Sequence, residues 1–444
     1  SVHRTEAGEV YARDLTLDKF IDGTTLRTAR ALPRPNGQVQ TVLLTGATGF
    51  LGRYLLLDWL KRLRRVDDTV ICLVRADSDE EAYRRLEATF DTDPVLLRHF
   101  RELAAERLEV IAGDKGEPNL GLDEERWRQL AERVDLIVDS AAFVNSVLPY
   151  RELFGPNVVG TAELIRFALT TKLKPYNFVS TSDVGRQIEP SKFTEDADIR
   201  VASPVRTVDA GYANGYGNSK WAGEVLLREA HDLCDLPVAV FRSGMIMADP
   251  AYAGQLNLTD TVSRMVLSIV ATGVAPESFY RLGDDGRRQR AHFDGLPVDF
   301  VAEAITTLGW EVARSASAGF ETYHVMNPHD DGIGIDTYID WLIEAGYPIQ
   351  RVSDFGEWLQ RFEAGLKALP ERQRQGSVLQ MLTLLQQQGG ELEAPEPTQG
   401  SYAPADRFRA AVRRAKVGAA NDIPRVTPEV ILKYVTDLQS LGML

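Results

Sequence analysis

Val39-Gln40-Thr41-Val42-Leu43-Leu44-Thr45-Gly46-Ala47-Thr48-Gly49-Phe50-Leu51-Gly52 is a compact apolar run that ends in three glycines, each three residues after the last. The segment that follows, 53–65 (RYLLLDWLKRLRR), carries its apolar residues at helical spacing. Strands buried on both faces read as short continuous apolar runs. More such runs follow at 69–74 (TVICLV), 108–112 (LEVIA), 134–138 (VDLIV), 176–180 (YNFVS) and 237–241 (PVAVF), with helical patterns between most of them. This alternation predicts an α/β fold, a doubly wound parallel sheet of the Rossmann type.

After about residue 250 the rhythm loosens. Helices are expected at 259–273 and 297–309 and a strand at 320–326 (FETYHVM), with the polar segment 281–290 (RLGDDGRRQR) between. Beyond 330 the pattern is mainly helical, at 335–345, 353–367 and 375–388. A long loop rich in glycine, proline and acid spans 389–405, and a last helical pair lies at 406–417 and 427–439. The expected organisation is a loop-like lead-in and linker over 1–38, a nucleotide-binding Rossmann domain with interleaved substrate-lobe segments over 39–330, and a mainly helical lobe over 331–444 that acts as lid or docking surface.

The 444 residues hold 64 Asp plus Glu against 50 Lys plus Arg, a net charge of −14, and are 44% apolar. That composition belongs to a soluble globular chain, and its acidity disfavours nonspecific nucleic-acid binding. Cys72 and Cys234 form no C-x-x-C pair, which fits a reducing, cytoplasmic setting. No stretch approaches the roughly 18 apolar residues of a membrane span. The chain opens on Ser1 and reads as a piece cut from a longer polypeptide, with a processed complete protein as the alternative reading. None of its six histidines stands in an H-E-x-x-H pattern, so no metal site is expected, and the G-x-S-x-G elbow of serine hydrolases is absent.

In a parallel sheet, ligands bind outside the carboxyl ends of the strands, so the residues just after each run matter most. Gly46 permits a tight turn, Gly49 lets the backbone approach a pyrophosphate, and Gly52 lets the helix pack on the sheet, while Thr48, Phe50 and Leu51 complete the cradle at the helix start. After the second strand, where an acid normally holds the ribose of NAD, the chain places Arg75, whose guanidinium suits the 2′-phosphate of NADPH. Asp77 is a competing ribose contact. Of Arg84 and Arg85 on the next helix, Arg85 is the favoured second contact. Asp114, after the third strand, is placed to reach the adenine, and Ser243-Gly244 to bring backbone groups to the carboxamide side of the nicotinamide. Arg287, Arg288 and Arg290 form a small basic patch, either solvated or suited to a phosphate on a tethered substrate.

Tyr216 and Lys220 stand four residues apart and lead into the helical pattern 221–232, so they share a helix face. An ammonium beside a phenol, whose reference pKa is about 10, eases proton exchange. Tyr212 is an internal competitor without a lysine four residues on. Ser180, Thr181 and Ser182 follow directly on a strand, and one of these hydroxyls is placed to hold a carbonyl oxygen while Tyr216 protonates it. Spacing alone does not choose among them.

Three of these segments, Gly46-Ala47-Thr48-Gly49-Phe50-Leu51-Gly52, Asn157-Val158-Val159-Gly160-Thr161 and Tyr216-Gly217-Asn218-Ser219-Lys220, resemble the extended short-chain dehydrogenase/reductase superfamily. With Val74-Arg75-Ala76, Ala112-Gly113-Asp114, Ser180-Thr181-Ser182-Asp183-Val184 and Gly254-Gln255-Leu256-Asn257 the chain is similar to terminal thioester reductase domains, above all those of bacterial carboxylic acid reductases. The resemblance implies Thr181, Tyr216 and Lys220 as the catalytic group, with Arg75 and Arg85 on the 2′-phosphate. It also implies an acyl thioester substrate on a phosphopantetheinylated carrier domain of the same polypeptide, an upstream adenylation domain, and a free aldehyde as product. Some relatives continue to the alcohol. Asn145, Met245 and Asp260 are candidate substrate or gating positions, and Asp260 reads equally as a helix cap. Where many superfamily members carry His-Pro, this chain reads Asp139-Ser140. The rival readings are a fatty acyl-CoA reductase, a sugar-nucleotide epimerase or dehydratase, and a non-enzymatic dinucleotide-sensing or scaffold domain.

Overall fold

The computed structural model describes residues 2, 8–145, 147–209, 214–315, 319–387 and 393–444. Seven parallel strands form one sheet: β1 Thr41–Thr45, β2 Thr69–Val74, β3 Leu108–Ala112, β4 Leu136–Asp139, β5 Tyr176–Thr181, β6 Val238–Ser243 and β7 Phe320–Val325. Their order is β7-β6-β5-β4-β1-β2-β3. The order reverses between β1 and β4, and a doubly wound sheet binds its ligand in the crevice at that reversal. Every residue of β1 and β4 is buried, because helices cover both faces, and this is why the strands read as unbroken apolar runs.

The helices of this unit begin where local chemistry predicts. Helix α1 (Phe50–Arg62) leaves the glycine turn. Ser78 accepts from Glu81 N–H to start α2 (Asp79–Ala88), and Asp93, followed by proline, starts α3 (Pro94–Ala104). Asp123 caps α4 (Glu124–Arg133). Further on come α5 (Gly160–Ala168) and α6 (Asn214–Cys234), the latter beginning seven residues before the expected 221–232.

By its contacts the chain divides into two compact units. The first holds everything up to Gly244, together with the returning segments Phe300–Val325 and Ala403–Ile423. The lead-in is more structured than its loop-like sequence suggests: Glu9–Tyr11 pairs antiparallel with Val205–Thr207, Asp22 caps a short helix over Gly23–Thr28, and Leu15, Ile21 and Ala29 are buried. Apolar residues too sparse for a periodic pattern still anchor a segment when they meet a preformed surface.

The second unit comprises Met245–Asp299, Met326–Tyr402 and Pro424–Leu444. Its helices Thr261–Thr272, Ile335–Glu344, Phe355–Ala368 and Pro428–Ser440 share a core that includes Val266, Ile269, Leu342, Phe362, Ile431 and Tyr434. Two three-residue parallel ladders, Met245–Met247 with Gly295–Pro297 and Val274–Pro276 with Gln350–Val352, are too short to announce themselves in sequence. The single helix expected over 375–388 is two, Glu371–Gly376 and Leu379–Gln387, broken where Ser377 caps the second segment with its hydroxyl. Residue 388 of that expected helix and residues 389–392 of the expected loop lie outside the described residues. Among the described residues no helix is long and apolar enough to cross a membrane.

Candidate active site

The glycine turn is sterically closed to any side chain at two of its positions. Gly46 has φ +77°, and a Cβ there would lie 2.6 Å from the Ala141 nitrogen. At Gly52 a Cβ would fall 1.8 Å from the Gly46 carbonyl oxygen, so α1 lies directly on the turn. Gly49 is the N-cap of α1 and brings no side chain to it, which leaves the first-turn N–H groups without a side-chain cap and facing the strand ends. Thr48 and Phe50 are half-buried, while Leu51 is turned into the core.

Arg75 and Arg85 come together at the end of β2, where the Arg85 guanidinium donates to the Arg75 carbonyl and both side chains are exposed. Asp77 is also exposed, with its N–H on the Glu81 carboxylate at 3.1 Å. Asp114 is half-buried and accepts from Gly116 N–H at 2.8 Å, closing its own turn.

At the reversal point lies a buried polar row that the sequence reading passed over. Thr45, Asp139 and Phe178 are register partners across β1, β4 and β5, so their side chains share one face. The fully buried Asp139 carboxylate accepts from Thr45 Oγ1 (2.8 Å), Lys115 Nζ (2.8 and 3.0 Å) and the Tyr176 hydroxyl (2.7 Å). Thr45 Oγ1 in turn accepts from Ala141 N–H at 3.1 Å, which ties the row to the loop against Gly46. Burial would raise the Asp139 carboxyl, but the Lys115 and Lys220 cations and the hydrogen bonds hold it below the usual carboxylate value. The one local signal was an acid closing an apolar run, in LIVD.

Of the three consecutive hydroxyls, Ser180 is committed to Glu224 at 2.6 Å. Thr181 Oγ1 accepts from Asp183 N–H at 3.2 Å, so its own proton remains available to a ligand. Tyr216 and Lys220 both lie on α6, one turn apart. The first turn of α6 packs against the loop after Thr181: a Cβ at Gly217 would sit 2.9 Å from the Asp183 carbonyl. Asn157 braces the same turn, donating to Ser219 Oγ at 3.0 Å and pairing with the Phe143 backbone, while Ser219 donates to the Tyr216 carbonyl at 2.8 Å. Burial, with the Asp183 charge, raises the Tyr216 phenol above its ordinary value. Lys220 is 2% exposed, and burial together with the Lys115 cation pulls it down to about 7, against the pull of Asp139 and Glu224.

Ser243 pairs in register with Thr181, and among the described residues its buried hydroxyl has no hydrogen-bond partner. A buried orphan donor at a strand end fits a polar ligand group that the chain itself does not supply. The Gly244 N–H, by contrast, already donates to the Val325 carbonyl at 3.2 Å. Asn145 closes its own turn by accepting from Val147 and Leu148 N–H. In the second unit Met245 opens a ladder with Gly295, and Asp260 caps the helix Thr261–Thr272 through Ser263 N–H at 2.6 Å. Among the described residues the other Asp260 oxygen is buried without a partner, and burial pushes that carboxyl up to about 6. Arg288 and Arg290 of the basic patch are neutralised by Asp340 and Asp330. Tyr212 lies outside the described residues.

A family model described as male sterility protein, an NAD-binding domain, matches residues 44–305, more than half of the chain. The chain belongs to the male sterility protein family. Relatives of this male sterility protein domain include the carboxylic acid reductase of Mycobacterium marinum, 62% identical over the whole chain, which spans 37% of that protein. They also include the isonitrile lipopeptide synthase of Mycobacterium tuberculosis, 69% identical, of which the chain spans 18%. The crystal structure of the reductase domain of a nonribosomal peptide synthetase from Mycobacterium tuberculosis matches 98% of this chain and 100% of its own with a TM-score of 0.92 at 67% identity. UDP-glucose 4-epimerase from Bifidobacterium longum, 16% identical with a TM-score of 0.52, shares the fold. The domain is thus an oxidoreductase whose cofactor is a nicotinamide dinucleotide.

Proposed function

We propose that this chain is an NADPH-dependent thioester reductase domain that releases an acyl group from the phosphopantetheine arm of a carrier domain as a free aldehyde. The observation that carries the reading is the arrangement of Tyr216 and Lys220, one turn apart on α6, against the loop that follows Thr181. The residues fit the cofactor: a turn closed to side chains at Gly46 and Gly52, an uncapped helix N-terminus, paired arginines at the end of β2 for a 2′-phosphate, and the orphan Ser243 hydroxyl. When bound, NADPH supplies the hydride.

The chain supplies the rest. Thr181 donates to the thioester oxygen, and Tyr216 protonates that oxygen as negative charge develops on it. A phenol raised by burial enters as the acid, the role a reduction needs. Lys220 positions the phenol and binds the ribose. The hemithioacetal then collapses: its C–S bond breaks, its hydroxyl proton is lost, and the carrier thiol leaves protonated. Asp114 is assigned to the adenine. Asn145, Met245 and Asp260 are assigned to substrate admission, and 331–444 to substrate or carrier docking. The named relatives are multidomain enzymes, and the proposal places a carrier and an adenylation domain upstream in the same polypeptide.

The test offers carrier-bound, pantetheine and CoA acyl thioesters with NADPH or NADH, follows the reduced-nicotinamide band, and separates aldehyde from alcohol by chromatography. NADPH-dependent aldehyde from the carrier-bound and pantetheine esters is the expected result. Oxidation restricted to acyl-CoA would move the domain to the fatty acyl-CoA reductases, and no oxidation with any thioester would remove the reading.

A further inference from the structure

The chemistry above leaves Lys115, Asp139 and Tyr176 without a role, although all three are buried and the Lys115 and Tyr176 side chains converge on Asp139 at the end of β4. Asp139 takes two bonds from Lys115 and one each from Thr45 and Tyr176, so every donor it meets is spent on it. Lys115 is held as firmly: its stem lies against Gly160 at the start of α5, where a Cβ would meet Cγ at 3.1 Å. Asp139 and Phe178 are register neighbours on one face of the sheet, and Lys220 Nζ stands 4.0 Å from the centroid of the Phe178 ring. Among the described residues that ammonium has no hydrogen-bond partner. A buried cation without hydrogen bonds depends for its place on nearby charge and on the aromatic face beneath it.

We propose that the Lys115–Asp139 pair is the positioning element for Lys220: Asp139 draws the ammonium toward the end of β4, Lys115 pushes against it, and their balance holds Nζ over Phe178. The inference rests on the reading that gives Lys220 the ribose and the phenol. The other charges facing Lys220 are few. Glu224, one turn along α6, is bound by Arg242 at 2.7 Å and by Ser180 at 2.6 Å, so its charge is largely matched. From β5 come the Phe178 ring and the neutral Tyr176 phenol, and Asp183 acts on Tyr216. Lys115 and Asp139 are therefore the two charges whose removal most changes Lys220. Loss of Lys115 removes a repulsion and frees the Asp139 carboxylate, so the lysine holds its proton more tightly. Loss of the Asp139 charge leaves the repulsion alone, so the lysine gives its proton up more readily. A bridge that served stability alone would leave the titration of Lys220 where it was.

The experiment is side-chain NMR of the whole chain labelled with 13C,15N-lysine, with the Lys220 signal assigned by its absence in Lys220→Arg. Lys115→Gln is expected to raise the Lys220 midpoint by about one pH unit and Asp139→Asn to lower it by about as much. Lys115→Arg, which keeps the charge, leaves it in place. The signs are opposite, so either variant decides by itself if the other does not fold, and an unmoved Lys220 midpoint in either overturns the proposal. The high-pH limb of kcat/KM for NADPH with acyl-pantetheine is expected to follow the same direction. A midpoint that moves while the rate limb stays fixed keeps the positioning role and removes Lys220 from turnover. A wild-type chain inert to thioesters defeats the functional reading while the NMR result still decides this one.

Discussion

Tyr216 and Lys220 share a helix turn but are tuned in opposite senses: burial keeps the phenol protonated and makes the lysine ready to lose its proton near neutral pH. Tyr216→Phe removes the acid and leaves the cofactor contacts intact. It is expected to lower kcat on the order of 100-fold or more, with NADPH affinity by fluorescence titration nearly unchanged. Full turnover in that variant would remove Tyr216 from the mechanism. Arg75 is exposed and, among the described residues, meets no acid that would neutralise it, so its charge is available to a 2′-phosphate. Arg75→Ala should raise the KM for NADPH about tenfold, leave kcat within a factor of about two, and narrow the preference over NADH. An unchanged NADPH-to-NADH ratio would count against the assignment.

Among the elements, α1 shows how little room the nucleotide cradle allows. Gly52→Ala would place a methyl group 1.8 Å from the Gly46 oxygen, so the helix must shift off the turn. Overpacking of this kind costs about 1–3 kcal/mol or more. A fall of several degrees in the unfolding midpoint together with loss of NADPH binding is expected, and calorimetry with and without NADPH checks both. The helix Asp406–Ala415 is tied to the turn after it by Asp422, which accepts from Arg409 at 2.9 Å and Arg413 at 2.7 Å. Those arginines hold the Asp422 carboxyl well below its ordinary value against a burial effect that would raise it. The folded state therefore binds this proton less readily than the unfolded chain does. The stabilisation is present above the unfolded value of about 4 and is lost as pH falls below it. Asp422→Asn should lower the midpoint at pH 7 by more than at pH 3, and equal losses at the two pH values would refute the linkage.

For the whole molecule, a cofactor that binds only the folded chain stabilises it by mass action, about 2.7 kcal/mol at 100 times its Kd. At equal concentration NADPH is expected to raise the unfolding midpoint more than NADH, and Arg75→Ala to narrow that difference. A larger shift with NADH would reverse the assigned cofactor preference. The two units are each assembled from distant segments: Phe300–Val325 and Ala403–Ile423 return to the first after the chain has entered the second. Within the first unit the Glu195 carboxylate records that return, accepting from the backbone N–H groups of His324, Arg407 and Phe408.

The seven sheet strands were legible in the sequence to within about two residues at most ends, because a strand covered on both faces must be apolar throughout. The glycine spacing was legible because a turn that close to its own helix admits no Cβ. So was the Tyr216–Lys220 pair, since one helical turn is a local distance. The three-residue ladders and the ordered lead-in were not, for they depend on surfaces that other segments provide. Lys115 and Asp139 make the limit plain: by sequence they are charges in a loop and at a strand end, and only the folded chain brings the loop after β3 against the end of β4 and buries the two as an ion pair. Local sequence determines periodicity and turn sterics. Burial of a charge, and the partner that makes it tolerable, comes from segments far apart in the chain, and the tertiary structure alone brings these together.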